Sequence, residues 1–233
     1  MREEETLRIR GGDPFVIAEL ENMSPAPFII AVTGHRDLRP QDVESLRHEV
    51  GAVLATIQNN APGARLLVLS GLAEGADQLA AEVALEQGIA LAAVLPMLLD
   101  IYRLQMGTDA RQKLEKLLAL AEVRIELPLE GRTPEQIRTS EAARAACYEA
   151  LALFLVRHAK ALIALWDGKH SDKPGGTCRV IQYAGIGALP GSTGRVESSC
   201  EVVYHVATPR ISGDGAPGPI RTVAHPCAPH RVA

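Results

Sequence analysis

The sequence predicts an α/β fold built on a doubly wound, mainly parallel sheet of about six strands in a single domain. Short apolar runs alternate along the chain with longer segments of helical periodicity, which is typical of strands joined by crossover helices. Several runs are apolar at consecutive positions, as expected when helices cover both faces of a sheet. Hydrophobic residues make up 47% of the 233 residues, enough for a substantial core.

Six strands account for the apolar runs. In chain order they are expected at 28–33, 65–70, 91–95, 122–127, 161–166 and 202–207.

Three long helices are predicted between these strands. The first, within 39–60, places apolar residues on one face and ends at two asparagines followed by Pro-Gly. The second, within 73–88, stops at Gly88. The third, within 133–159, begins with Thr133 as its N-cap and Pro134 at its first helical position.

Both ends of the chain are expected to lie outside a domain at 25–210. Residues 1–24 are weakly patterned, and 211–233 are rich in Pro and Gly, so the second segment is predicted to be disordered. The tail contains the cluster "HPCAPH". Its interleaved prolines leave no firm scaffold, so no metal site is expected there.

Charge and composition argue against several classes of partner. The net charge is −4 with scattered Lys and Arg, so no nucleic-acid partner is expected. No apolar run approaches the ~18–20 residues of a membrane span, and the start "MREEETLRIR" lacks a signal-peptide core. We therefore expect a cytoplasmic protein without membrane contact, whose four cysteines are reduced thiols.

Three polar loops follow predicted strands at their carboxyl ends, in "VTGHRDL", "LSGLAEGAD" and "LWDGKHSDKPGGT". In an open parallel sheet, ligands bind outside these ends, near the point where the strand order reverses. The loops are therefore predicted to converge on one ligand site.

The first loop contains Thr33, Gly34, His35 and Arg36. Gly34 would let the backbone approach a ligand, Thr33 and the loop amides could donate to phosphate oxygens, and Arg36 could clamp a phosphate with His35 as a further donor. The alternative is a tight turn in which His35 and Arg36 are only solvated.

The second loop contains Ser70, Gly71, Glu74, Gly75 and Asp77 before a helix expected to open near residue 73 or 74. A helix N-terminus favours an anion. Glu74 and Asp77 also suit the helix dipole without any ligand, and Asp77 could instead accept a hydrogen bond from a ribose hydroxyl.

The third loop contains Trp166, Asp167, Gly175, Gly176 and Thr177. Adjacent glycines followed by threonine at a helix start suit a phosphate-binding nest. Trp166 could cover a base and Asp167 could bind a sugar hydroxyl. The alternative is a mobile Gly/Pro loop. The chain lacks G-x-G-x-x-G after its first strand and lacks G-x-x-x-x-G-K-[ST], which disfavours NAD-binding and P-loop NTPase functions.

These motifs in this order resemble the SLOG superfamily over roughly 28–210, through "VTGHRDL", "SGLAEGADQLAAEVALEQGIALAAVLP", "ALIALWDG" and "GGT". That Rossmann-like group includes the LOG phosphoribohydrolases, the Smf/DprA DNA-processing proteins and many nucleotide-sensing domains. The resemblance implies a pocket for a nucleotide or a nucleotide-derived ligand.

The chain departs from the LOG enzymes at their catalytic positions. The LOG motif P-G-G-x-G-T-x-x-E ends in a catalytic Glu, whereas Thr177 here is followed by Cys178, Arg179 and Val180. The catalytic Arg of the preceding helix corresponds to a position near Leu151, although Arg144 and Arg157 lie in the same predicted helix. Both catalytic residues are therefore expected to be absent.

The sequence thus predicts a domain that binds or senses a nucleotide-derived phosphate ligand, with no further cofactor and no catalysis. One alternative is a LOG-like phosphoribohydrolase that releases free base from a nucleoside monophosphate. Another is a structural or interaction module, because the helix at 135–158 is apolar around much of its circumference and could pack against a second subunit in a homodimer.

Overall fold

In the computed structural model, one sheet contains all the strands of the described residues, which are 7–10, 26–185, 198–213 and 219–227. The spatial order is β1-β5-β4-β3-β2-β6-β7-β8. In chain order the strands are β1 (Leu7–Arg10), β2 (Phe28–Gly34), β3 (Leu66–Ser70), β4 (Ala90–Leu95), β5 (Val123–Glu126), β6 (Ala161–Trp166), β7 (Val202–Ala207) and β8 (Thr222–Pro226). Every neighbouring pair is parallel except β7 and β8.

Seven α-helices lie in the described part of the chain. They are α1 (Val43–Asn60), α2 (Ala76–Glu86), α3 (Leu99–Tyr102), α4 (Thr108–Leu120), α5 (Pro134–Thr139), α6 (Glu141–His158) and α7 (Thr177–Tyr183). None of these described helices combines the length and the apolar character needed to cross a bilayer.

The helices form a layer on each face of the sheet. In β2, Ile30 and Val32 pack into the cluster that includes residues of α1, α2 and α4, whereas Ile29 and Ala31 pack into the cluster with α6 and α7. Consecutive strand residues point to opposite faces, so a strand covered on both sides is apolar at every position. The predicted doubly wound, mainly parallel fold is confirmed.

The strand order reverses beside β2. Strands β3, β4 and β5 follow one another outward on one side of β2, and β6 and β7 lie on its other side. The carboxyl ends of β2 and β6 therefore flank the position where such folds hold their ligands.

All six predicted strands are present, but the sheet has two more. Strand β1 lies in the weakly patterned start of the chain, and β8 lies in the tail that is predicted to be disordered. That prediction is wrong for the described residues 219–227. The residues of β8 are mostly exposed, so the strand carries no apolar signal and is fixed by its backbone pairing with β7.

Two predicted helices differ from the structure. The helix predicted at 133–159 is divided at Ser140, whose extended backbone ends α5 and whose side chain accepts a hydrogen bond from the amide of Ala143 in α6. The predicted N-cap Thr133 is confirmed, with a capping box to Gln136. Helix α2 begins at Ala76 rather than near residue 73 or 74, because the chain first makes a turn.

Candidate functional site at the carboxyl edge of the sheet

His35 and Asp167 connect the first and third loops at the point where the strand order reverses. The amide of His35 donates to the carbonyl of Leu165 at 3.1 Å. The amide of Asp167 donates to Nε2 of His35 at 3.0 Å, and the carboxylate oxygen Oδ1 of Asp167 lies 3.1 Å from the same nitrogen. The structure thus brings together two of the loops predicted to converge.

The surroundings of His35 favour its neutral imidazole. Burial lowers the pKa of His35 and outweighs the neighbouring Asp167 carboxylate, which raises it. Nε2 accepts a hydrogen bond from the Asp167 amide, so the ring proton lies on Nδ1. The sequence predicts His35 as a donor to a ligand, but Nε2 is occupied within the protein and only Nδ1 could donate.

The second loop is braced against the backbone of the first. The amide of Ala76 donates to the carbonyl of His35 at 3.0 Å. Gly75 has a φ of +89°, and a Cβ at this position would lie 2.4 Å from the carbonyl oxygen of Arg36. A Cβ at Gly34 would lie 2.4 Å from the Cβ of Ala76. Both glycines are therefore required for the close approach of the two loops.

Asp77 is buried at the start of α2. Its Oδ2 atom accepts a hydrogen bond from the Ala73 amide at 3.4 Å. Burial raises the pKa of Asp77 to about 7, although the Ala73 amide and the Arg36 guanidinium both act to lower it. Ser70 is also buried and supports the turn, because its Oγ accepts from the Leu72 amide at 3.1 Å. Glu74 is exposed.

Arg36 extends from the first loop over an aromatic side chain of α6. Its guanidinium carbon lies 5.2 Å from the centroid of the Tyr148 ring, a cation–π distance. The Tyr148 ring is 6.4 Å from that of Tyr102, whose hydroxyl donates to the carbonyl of Gly71 at 2.8 Å. Tyr148 and Tyr102 thus connect the first loop to the second.

The Tyr148 hydroxyl oxygen is buried. Its charged neighbour is the guanidinium of Arg36. A group bound by Arg36 would come close to this hydroxyl, which could then donate a hydrogen bond to it.

The third loop also packs against α6. Gly175 has a φ of +63°, and a Cβ there would lie 2.4 Å from the Cβ of Tyr148. Its amide donates to Oε2 of Glu149 at 2.6 Å, and the amide of Gly176 donates to the carbonyl of Lys173 at 3.1 Å. The predicted phosphate nest therefore has two amides that are already bonded. Thr177 is buried as the first residue of α7.

Glu149 is the centre of a polar cluster that the sequence analysis missed. Its carboxylate also accepts a hydrogen bond from the Tyr183 hydroxyl and lies 3.7 Å from Nε of Arg179. Burial, with the bond to Glu149, raises the pKa of Tyr183 to about 12. The available signal was the polar pair Tyr148-Glu149 between the apolar runs of α6.

Leu151 and Val180, which lie near or at the positions that the LOG resemblance would make catalytic, are buried apolar residues. A carboxylate and a guanidinium are nevertheless present beside the third loop. Glu149 comes from the preceding helix and Arg179 from the following helix, which is the reverse of the arrangement expected from the resemblance.

Trp166 and Asp167 have contacts within the protein that differ from their predicted roles. The Trp166 ring lies 5.2 Å from that of His205 on β7, and its Nε1 donates to the carbonyl of Lys169 at 3.1 Å. Oδ1 of Asp167 accepts from the Lys169 amide at 3.0 Å. A base or sugar would have to compete with these contacts.

The solved structures similar to this chain include two DNA processing proteins. DNA processing protein A from Streptococcus pneumoniae is 23% identical with a TM-score of 0.43, over 72% of this chain and 51% of that one. DNA processing protein A from Helicobacter pylori, described in a single-stranded DNA binding mode, is 18% identical with a TM-score of 0.43, over 75% of this chain and 66% of that one.

Both structures are DprA proteins, one of the groups that the sequence motifs resemble. The chain spans about half of the first protein and less than two thirds of the second. No family model matches the chain, and no curated protein matches it.

The expectation that nucleic acid is not a partner is corrected. One of the similar structures is that of a protein that binds single-stranded DNA. The expectation was drawn from the net charge of the whole chain, which is a poor guide because a few local cations at one edge of a sheet can contact phosphates whatever the total charge.

Proposed function

We propose that this chain binds a phosphate-bearing, nucleotide-derived small molecule at the carboxyl edge of its sheet, and that Arg36 binds the phosphate group. The observation that carries the proposal is the placement of Arg36. It is an exposed arginine at the end of the central strand β2, with its guanidinium held over the Tyr148 ring.

The surroundings of Arg36 favour an external anion. Among the ion pairs of the described residues, none involves Arg36, and the nearby Asp77 is buried with a pKa of about 7, so its negative charge is reduced near neutral pH. A planar guanidinium that is not neutralised by a carboxylate can bind phosphate oxygens in a bidentate manner.

The geometry of the loops supports a small ligand that has a phosphate and further polar groups. The Tyr148 hydroxyl of α6 lies beside the Arg36 guanidinium, and Nδ1 of His35 belongs to the preceding residue of the same loop as Arg36. Both could bind further oxygens of the same molecule. The nucleotide part of the proposal is supported by the motif resemblance.

Phosphoribohydrolase activity is a second candidate because of Glu149. A carboxylate beside the Gly175 loop could serve as an acid or base if a ribose lay next to it. Unlike binding alone, this activity would release free base from a nucleoside monophosphate, which chromatography of the reaction mixture detects.

Titration calorimetry with nucleoside monophosphates, inorganic phosphate and a short single-stranded DNA separates the possibilities. We expect a nucleoside monophosphate to bind and Arg36→Ala to weaken the affinity roughly tenfold to a hundredfold, since a charge-assisted hydrogen bond contributes ~1.5–3 kcal/mol. Arg36→Lys should restore only part, because an ammonium lacks the planar fork.

Arg157→Ala is the matched control, because this exposed arginine lies near the carboxyl end of α6, away from the three loops. Equal affinities in Arg36→Ala and Arg157→Ala would contradict the proposed role of Arg36. If only the single-stranded DNA bound, the ligand would be a nucleic-acid strand and not a small molecule.

A further inference from the structure

Two of the four cysteines lie next to each other where the last two strands meet. Val202 at the start of β7 pairs with Pro226 at the end of β8, and the amide of Cys227 donates to the carbonyl of Glu201 at 2.9 Å. Cys200 therefore lies beside Cys227, and their thiols are within hydrogen-bonding reach of each other. Both thiols are free in this structure.

We propose that Cys200 and Cys227 form a reversible disulfide that fastens the edge strand β8 to the sheet. Nothing in the proposed ligand site requires these residues, since they lie at the amino end of β7, whereas the three loops follow the carboxyl ends of their strands. The pairing of β7 with β8 places the two cysteines at the same end of this strand pair.

The two thiols differ in a way that suits a stepwise oxidation. Cys200 is 3% exposed and its Sγ lies 3.3 Å from the carbonyl oxygen of Val202, whereas Cys227 is half-buried. The contact between the two thiols lowers the pKa of Cys227, and the same contact, with burial, raises that of Cys200. Cys227 is thus the accessible thiol and the better nucleophile.

The reaction requires a small disulfide, such as oxidised glutathione, as the oxidant. The Cys227 thiolate attacks one sulfur of that disulfide and expels the other as a thiolate, leaving a mixed disulfide. Cys200 then loses its proton to that thiolate and attacks the Cys227 sulfur, which expels the second small thiolate. The two protein thiols are oxidised, and the small disulfide is reduced to two thiols.

The disulfide would close a loop that contains β7, β8 and the turn between them. Within that turn, Nε of Arg210 donates to Oδ1 of Asp37 at 2.9 Å, and the Ser212 hydroxyl donates to the same carboxylate. Among the described strands, β8 pairs only with β7. A covalent link at its end should therefore suppress its opening and hold the turn against the loop that carries His35 and Arg36.

Oxidation of the full chain with oxidised glutathione tests the proposal. We expect the number of free thiols to fall from four to two and the monomer to become lighter by two hydrogen atoms, both reversed by dithiothreitol. Trypsin should release peptides 196–210 and 222–231 joined by the disulfide. The melting temperature should rise by roughly 5 °C or more.

Four variants make the outcome decisive. Cys200→Ser and Cys227→Ser should each fail to form the link, whereas Cys147→Ser and Cys178→Ser should form it as the parent does. Four remaining thiols, a stable glutathione adduct on Cys227, or a disulfide between two chains would overturn the proposal. A link that formed without any rise in melting temperature would overturn the fastening of β8.

Discussion

The guanidinium carbon of Arg36 and the ring centroid of Tyr148 are 5.2 Å apart, so a loop at the end of β2 and the first half of α6 share one contact. The Gly175 loop also contacts this tyrosine, because Gly175 packs against the Tyr148 Cβ. Tyr148 therefore links the Gly175 loop to Arg36. The position of Arg36 therefore depends on a residue that is distant in sequence.

Removing the Tyr148 ring should weaken ligand binding even though Arg36, which binds the phosphate, is still present. We expect Tyr148→Leu to reduce nucleotide affinity about twofold to fivefold, because a cation–π contact at a partly exposed site contributes ~0.5–1 kcal/mol to holding the guanidinium. Tyr148→Phe keeps the ring and loses only the hydroxyl. Titration calorimetry measures the affinity of both variants. An equal loss in Tyr148→Leu and Tyr148→Phe would show that the hydroxyl, and not the ring, is responsible.

A side chain at Gly75 should destabilise the fold. Its φ of +89° disfavours any L-residue, and a Cβ would collide with the carbonyl oxygen of Arg36. We expect Gly75→Ala to reduce the free energy of unfolding by more than ~2 kcal/mol. Gly63→Ala is the control, since Gly63 has a φ of +79° with nothing near the added Cβ, and should cost only ~1 kcal/mol. Similar losses in urea melts would show that the loop contact is unimportant.

Asp77 should make the protein less stable as the pH rises. Its pKa increases from the ordinary value of 3.8 to about 7 in the folded chain because of burial, so the folded state retains a proton that the unfolded state has released. This contribution to stability is complete below pH 4 and is lost as the pH rises to about 7. We expect Asp77→Asn to be the more stable protein at pH 8, by on the order of a few kcal/mol, with a much smaller difference at pH 4. Urea melts at both pH values measure this, and a variant less stable than the parent at pH 8 would rule it out.

Asp37 should have the opposite effect. Burial alone would raise its pKa, but hydrogen bonds from Arg210 and Ser212 outweigh burial and lower it to about 2. Its contribution is therefore present above pH 4 and is lost as the pH falls toward 2. We expect Asp37→Asn to have a lower melting temperature than the parent protein at pH 6. Near pH 2 the difference between the two melting temperatures should be smaller. A constant difference across this range would show that the ionised carboxylate does not hold the turn.

The sequence predicted the sheet well because each central strand is covered on both faces and is apolar throughout, as in Ile29–Val32. It did not predict β8, whose residues are largely exposed and whose position is set by pairing with β7. Nor did it predict the break at Ser140, where a side chain caps α6 within a continuous helical pattern.

For the site, the sequence identified the loops but not what holds them. Gly34, Arg36 and Gly75 could be found because their chemistry follows directly from strand ends and turns. Tyr148 and Glu149 could not, because their role depends on the packing of α6 against loops that are distant in the chain. Such contacts are decided by the tertiary structure, and the local sequence shows only a polar pair within the helix.

The bond between the Glu149 carboxylate and the Gly175 amide has a kinetic consequence. An anion that uses this amide must exchange with a carboxylate that is tethered to the same chain and is therefore present at a high effective concentration. Association at this loop would require Glu149 to release the amide first. The observed association rate would then reach a plateau as the ligand concentration increases, with the plateau set by the release of Glu149.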